Sequence, residues 1–94
     1  QQAAINYFTI GNQYFLVVDS LGIYQVDGLK NPIVLLQSSP KINITRLIKT
    51  LAPKLLIADE TNYTSFVKRW RLVCNKNRVL FHDTGEQGAY VLKF

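Results

Sequence analysis

The sequence predicts an α/β fold, a mixed β-sheet with two helices on one of its faces. Three features carry this reading. Short unbroken apolar runs at Ile33–Leu36 and Leu55–Ala58 have the character of strands covered on both sides. Amphipathic helical periods follow each of them, at Ile44–Leu51 and around Phe66–Cys74. Two consecutive strand-helix-strand units favour parallel central strands with right-handed crossovers, which puts both helices on the same side. The opposite face is expected to be exposed, or covered by the N-terminal hairpin or by other parts of a parent protein.

Ile5–Ile10 and Gln13–Asp19 are rich in aromatic and β-branched residues and are separated by Gly11-Asn12, a two-residue turn that reads as a hairpin. Leu21–Val26 reads as a third, shorter strand before the turn Asp27-Gly28. From Asn43, a suitable N-cap, the apolar residues Ile44, Leu47, Ile48 and Leu51 fall at helical spacing until Pro53 stops the run. Leu55–Ala58 ends at Asp59, and a polar stretch leads to a second helix with Phe66, Val67, Trp70, Val73 and Cys74 on one face. Arg78–His82 and Ala89–Lys93, joined by DTGEQG, are expected to finish the sheet as a strand pair. Residues 1–94 thus read as one domain, with a hairpin region over 1–30 and strand-helix-strand-helix-strand-strand over 31–94.

Ninety-four residues, 48% of them apolar or aromatic and 18% charged, suit one small domain with a real core. Eleven Lys and Arg against six Asp and Glu give a net charge of +5, which favours an anionic partner such as nucleic acid or phospholipid head groups. No apolar run approaches the roughly 18–20 residues of a membrane span, and the N-terminus lacks the pattern of a signal peptide. A soluble piece is therefore expected. The chain contains no Met, which suggests a segment of a longer protein.

Candidate chemistry is sparse. The single Cys forbids an internal disulfide, and a single His cannot assemble a zinc cluster. Cys74 shares the apolar helical face and reads as a small core residue. Asp19 and Asp59 lie at the carboxyl ends of strands, where α/β sheets bind ligands, although turn formation accounts for both. His82 beside Asp83 has the makings of a polarised base, yet no Ser or Cys stands at an activated turn to use it. The glycines are scattered and match no phosphate-binding fingerprint, so no cofactor is indicated. What remains is basic: Arg46 and Lys49 on the first helix and Lys68, Arg69, Arg71 and Lys76 on the second. On neighbouring helices these could share one phosphate-neutralising surface, and the same pattern equally suits a solvated face that keeps the domain soluble.

The segment Asn31–Phe94 resembles the closing part of the metallo-β-lactamase-like domain of the ComEC family of competence proteins, in a diverged branch typical of Bacteroidetes. The matches are Leu51-Ala52-Pro53-Lys54 at a helix exit, Asn62-Tyr63 before the second helix, Arg69-Trp70 within it, and His82-Asp83-Thr84 with Gly88-Ala89 at the end. The departures bear on function. Gln37 and Ser38, followed by Ser39 and Pro40, stand where the catalytic pattern has its His-His pair, and Thr64-Ser65-Phe66 stands where a further ligand His would precede the second helix. No His precedes Asn31, so the upstream His-x-His-x-Asp-His segment is missing too.

The resemblance therefore implies half of an αββα sandwich that has kept the scaffold and lost the zinc ligands, hence no enzyme and no metal. It implies a soluble extracytoplasmic domain of a bacterial inner-membrane DNA uptake protein, packed against the rest of that parent and guiding incoming single-stranded DNA. Arg46, Lys49, Lys68, Arg69, Arg71 and Lys76 are the residues assigned to phosphate contacts. A structural module that docks or forms a homodimer through an exposed sheet face or edge is the alternative. A metal-dependent phosphodiesterase completed by a partner is a remoter one.

Overall fold

The computed structural model describes residues 6–22, 24 and 31–87. Among the described residues five strands form one sheet in the order β1-β2-β3-β4-β5: β1 (Asn6–Ile10), β2 (Gln13–Val18), β3 (Ile33–Leu36), β4 (Leu55–Ala58) and β5 (Leu80–Asp83). The first pair is antiparallel and the other three pairings are parallel, so the sheet is mixed, as its sequence predicts. The hairpin turns at Gly11-Asn12, with Gly11 at a φ of 60° that suits glycine. Helix α1 (Ile44–Leu51) connects β3 to β4, and α2 (Thr64–Lys76) connects β4 to β5.

Strand pleating divides the core into two layers. Leu16, Val18, Val34, Leu36, Leu56 and Ala58 point to one face, where they meet Ile44, Leu47 and Leu51 of α1 and Val67, Trp70 and Cys74 of α2. Both helices therefore cover the same face. Phe15, Ile33, Leu55 and Ile57 form a second buried cluster on the other face, and the Phe8 ring stacks on Phe15 at 5.0 Å. Of the alternatives for this face the structure shows the covered one: these four side chains are 1–8% exposed. Strands with apolar residues on both faces require two covering layers.

Helix α1 starts where its N-cap predicts, with the Arg46 N–H donating to Asn43 Oδ1 at 3.1 Å. It ends at Ala52 in the left-handed conformation, whose N–H donates to the Ile48 carbonyl, just before Pro53.

Three predicted boundaries change. Leu21 and Gly22 form a turn rather than the start of a strand: the Gly22 N–H bonds back to the Asp19 carbonyl, and Asp19 Oδ1 accepts from the Leu21 N–H. Residues 23 and 25–26 of that predicted strand lie outside the described residues, whereas Tyr24 is buried in the helix-side core. The last described strand begins at Leu80, because Asn77 and Arg78 still belong to the turn closing α2, with Arg78 at a φ of 58°. The DTGEQG link is not a plain loop. Asp83 Oδ1 accepts from the Gly85 N–H and opens a short helix α3 (Thr84–Gln87). The predicted strand Ala89–Lys93 lies outside the described residues.

Trp70 is the largest fully buried side chain and joins α2 to the sheet. Replacing Trp70 by Ala should lower unfolding stability by about 3–5 kcal/mol, read as a lower urea midpoint with an unchanged denaturant slope.

Candidate nucleic-acid interface

Parallel pairing brings the carboxyl ends of β2, β3, β4 and β5 to one edge of the sheet, and their loops make one surface there. Three of the four strands run into an aspartate that performs the same local task. Asp19, Asp59 and Asp83 each accept the backbone N–H two residues on, from Leu21, Thr61 and Gly85 at 3.0 Å. Turn formation accounts for Asp19 and Asp59, as the sequence allows.

The β3 loop is the strained one. Ser38 and Ser39 hold consecutive positive φ values of 59° and 51°, a conformation that costs an L-residue about 1–2 kcal/mol. The β4–α2 loop holds them there. The Ser38 N–H donates to Thr61 Oγ1 at 2.8 Å, the Ser39 N–H to Asn62 Oδ1 at 2.9 Å, and the Tyr63 N–H to Ser39 Oγ at 2.7 Å. Asn62 also donates through Nδ2 to the carbonyls of Leu36 and Asp59, and Thr61 Oγ1 donates to Asp59 Oδ1.

Between these loops lies an open cleft of about 710 Å³, lined by Ser20, Leu21, Gly22, Ser38, Ser39, Lys41, Thr61 and Tyr63. Lys41 also borders a second groove of about 410 Å³ between the start of α1 and α2, where Asn43, Thr45, Phe66 and Arg69 lie. A third cleft of about 350 Å³, on the β5 side of α2, gathers Asp59, Glu60, Lys68, Arg71 and Asp83.

The six predicted phosphate-contact residues are not gathered on one surface. Arg46 and Lys49 are exposed on the outer side of α1, away from Ile44, Leu47 and Leu51. Lys76 is exposed in the last turn of α2. Lys68 and Arg71 turn toward the cleft that holds the three carboxylates, where the Arg71 guanidinium pairs with Asp83 at 3.2 Å and lies over the Phe81 ring. Arg69 faces the α1 side, over the Phe66 ring at 5.0 Å. Helical spacing separates Arg69 from Lys68 and Arg71, because successive residues advance by about 100° around an α-helix.

Two further residues join the edge. Lys41 follows directly after β3's strained loop, and Tyr63, 68% exposed, precedes α2 with its ring edge-on to Phe66 at 5.6 Å. In the sequence Tyr63 stands out only beside Asn62 in the family match and Lys41 not at all, although a lysine and a tyrosine just beyond the carboxyl ends of two parallel strands are themselves a signal.

The residues do not fit a catalytic metal. Gln37 and Ser38 present an amide and a hydroxyl where the resemblance expects paired imidazoles, and the backbone after them is tied to Thr61 and Asn62. Among the described residues no group of three or more His, Cys, Asp or Glu is placed to hold a metal ion. Pleating turns His82 to the face of Ile57 and Asp83 to the face of Ala58. Cys74 is fully buried and its thiol is pushed up from 9.0 to about 12 by desolvation.

An open-edged α/β domain with a hydroxyl-lined and cationic rim is the class these features define. A family model described as the ComEC C-terminal domain matches residues 2–94, and the chain belongs to that family. It is thereby a domain of a larger protein within a competence family of membrane proteins. No curated protein and no solved structure matches the chain. Among the described residues no helix is long and apolar enough to cross a membrane.

Two outcomes follow from this geometry. Asn62→Ala should cost about 2 kcal/mol in chemical denaturation, since it removes the acceptor for Ser39 and frees two carbonyls. Cys74 should resist Ellman's reagent in the native protein at pH 8 and react promptly once unfolded. Because its folded pKa is raised, the stability linked to its protonation is full below pH 9 and is lost as pH rises toward about 12.

Proposed function

We propose that the chain is a non-catalytic scaffold domain of a ComEC-type DNA uptake protein, which guides incoming single-stranded DNA by electrostatic contact. The observation that carries this reading is the distribution of charge. The chain carries a net +5, and Lys41, Arg46, Lys49, Lys68, Arg69 and Lys76 are exposed, while the carboxylates of Asp19, Asp59 and Asp83 are engaged in turns and, for Asp83, an ion pair. Contacts of this kind position a phosphate backbone without reading bases. The loss of the His-His pair at Gln37 and Ser38 supports a role without hydrolysis, since zinc hydrolysis needs several protein ligands and an open position for water. In this reading the domain packs against the rest of its parent on the extracytoplasmic side of the inner membrane.

A second reading, docking or homodimerisation, is favoured by one observation: Tyr7, Phe8 and Ile10 of β1 are 41–53% exposed. Sedimentation that shows a concentration-dependent dimer, together with no salt-sensitive DNA binding, would select it.

Fluorescence anisotropy with labelled single-stranded DNA tests the first reading. Binding should weaken steeply as salt rises, with a slope of about −0.7 per phosphate contact, and should be indifferent to added zinc or chelator. Absence of binding at low salt, or loss of binding on chelation, would contradict it.

A further inference from the structure

The geometry points to a specific strand-binding track at the carboxyl edge, in which Lys41 and Arg69 neutralise phosphates and Tyr63 stacks on a base. This rests on the DNA-guiding reading above and assigns it a surface.

The sign of the charge around each hollow separates the two sides of α2. The cleft on the β5 side sets three carboxylates, Asp59, Glu60 and Asp83, against two cations, Lys68 and Arg71. A phosphate approaching there meets net negative charge, and Arg71 is already paired with Asp83. Among the described residues the carboxyl-edge cleft and the groove between the helices are lined by Lys41 and Arg69 and by no carboxylate. Lys41 borders both hollows and makes them one track.

The aromatic content of the track argues for a single strand. Tyr63 is 68% exposed, yet it is held by ring contact to Phe66, which in turn meets Trp70 edge-on at 5.8 Å. An exposed aromatic ring supported by a half-buried one and a buried one behind it offers a π-face to an unpaired base at small entropic cost. The Arg69 guanidinium carbon lies over the Phe66 ring at 5.0 Å, and the residue is exposed to solvent, so a phosphate in the groove can reach it. The hydroxyls of Ser20 and Ser38 continue the track past Lys41. Alternating cations and stacking rings are what sequence-tolerant single-strand binding requires.

The test uses the 94-residue chain and a labelled oligothymidine, with folding of each variant checked by circular dichroism. Tyr63→Ala should weaken binding about tenfold, with the salt slope unchanged and with affinity largely restored by Tyr63→Phe. Lys41→Ala and Arg69→Ala should each reduce the salt slope by about 0.7, and Lys68→Ala by less. If the wild-type chain binds but Tyr63→Ala binds equally well, or if Lys68→Ala lowers the slope as much as Lys41→Ala, the track is wrong while the DNA-guiding reading stands. No wild-type binding at low salt would overturn that reading and the track with it. Tighter binding to phosphatidylcholine vesicles containing phosphatidylserine than to the oligonucleotide would overturn the track in favour of a membrane surface.

Discussion

The domain depends on two strands of four residues that are apolar on both faces. Helices α1 and α2 pack on one face of β3 and β4, and on the other face Ile33, Leu35, Leu55 and Ile57 of these strands cluster with Phe15 of β2. Parallel register between these strands has a further effect. It sets the ends of β3 and β4 side by side and forces both following loops to leave from the same edge. The strained Ser38-Ser39 backbone and the Thr61-Asn62-Tyr63 segment that ties it down are thus products of the same packing that makes the core. Position at that edge is inherited from the core, while the chemistry at the edge is free to vary with a few loop residues.

That freedom is visible in the hydrogen bonds of the edge loops. Serine, threonine and asparagine at the edge satisfy backbone groups of the neighbouring loop, a task imidazole ligands committed to a metal could not perform in the same way. The hydrogen bonds among the loops are mutual and clasp the two loops together. Asp19, Asp59 and Asp83 are engaged in their own turns there, while Lys41 and Tyr63 stand exposed beside them.

Much of the fold was legible in the sequence because its signals are local. The unbroken runs at Ile33–Leu36 and Leu55–Ala58, the helical spacing after Asn43 and the Gly11-Asn12 turn each specify an element through neighbouring residues. The candidate site was legible only in composition. That Arg71 is drawn to Asp83 depends on the register of β5 against β4 and on α2 lying over it, which no local pattern encodes. The same holds for Lys41 and Tyr63, which become neighbours across one rim only because two loops are clasped together. Helical phase could have separated Arg69 from Lys68 and Arg71 in advance, but the sign of the charge each would meet comes from distant residues. The strand predicted over Leu21–Val26 begins instead in a turn because the Asp19 side chain captures the Leu21 N–H, a competition that β-propensity ignores.

The central claim is that a single strand engages the carboxyl edge rather than the basic residues at large. Amide chemical-shift mapping of the isotopically labelled chain, titrated with an oligothymidine at low salt, tests it most directly. The account predicts that the largest shifts fall in Ser20–Gly22, Ser38–Ile42 and Thr61–Arg69, with the outer side of α1 around Arg46 and Lys49 little changed. Shifts centred instead on Arg46, Lys49 and Lys76, with the edge loops silent, would contradict it.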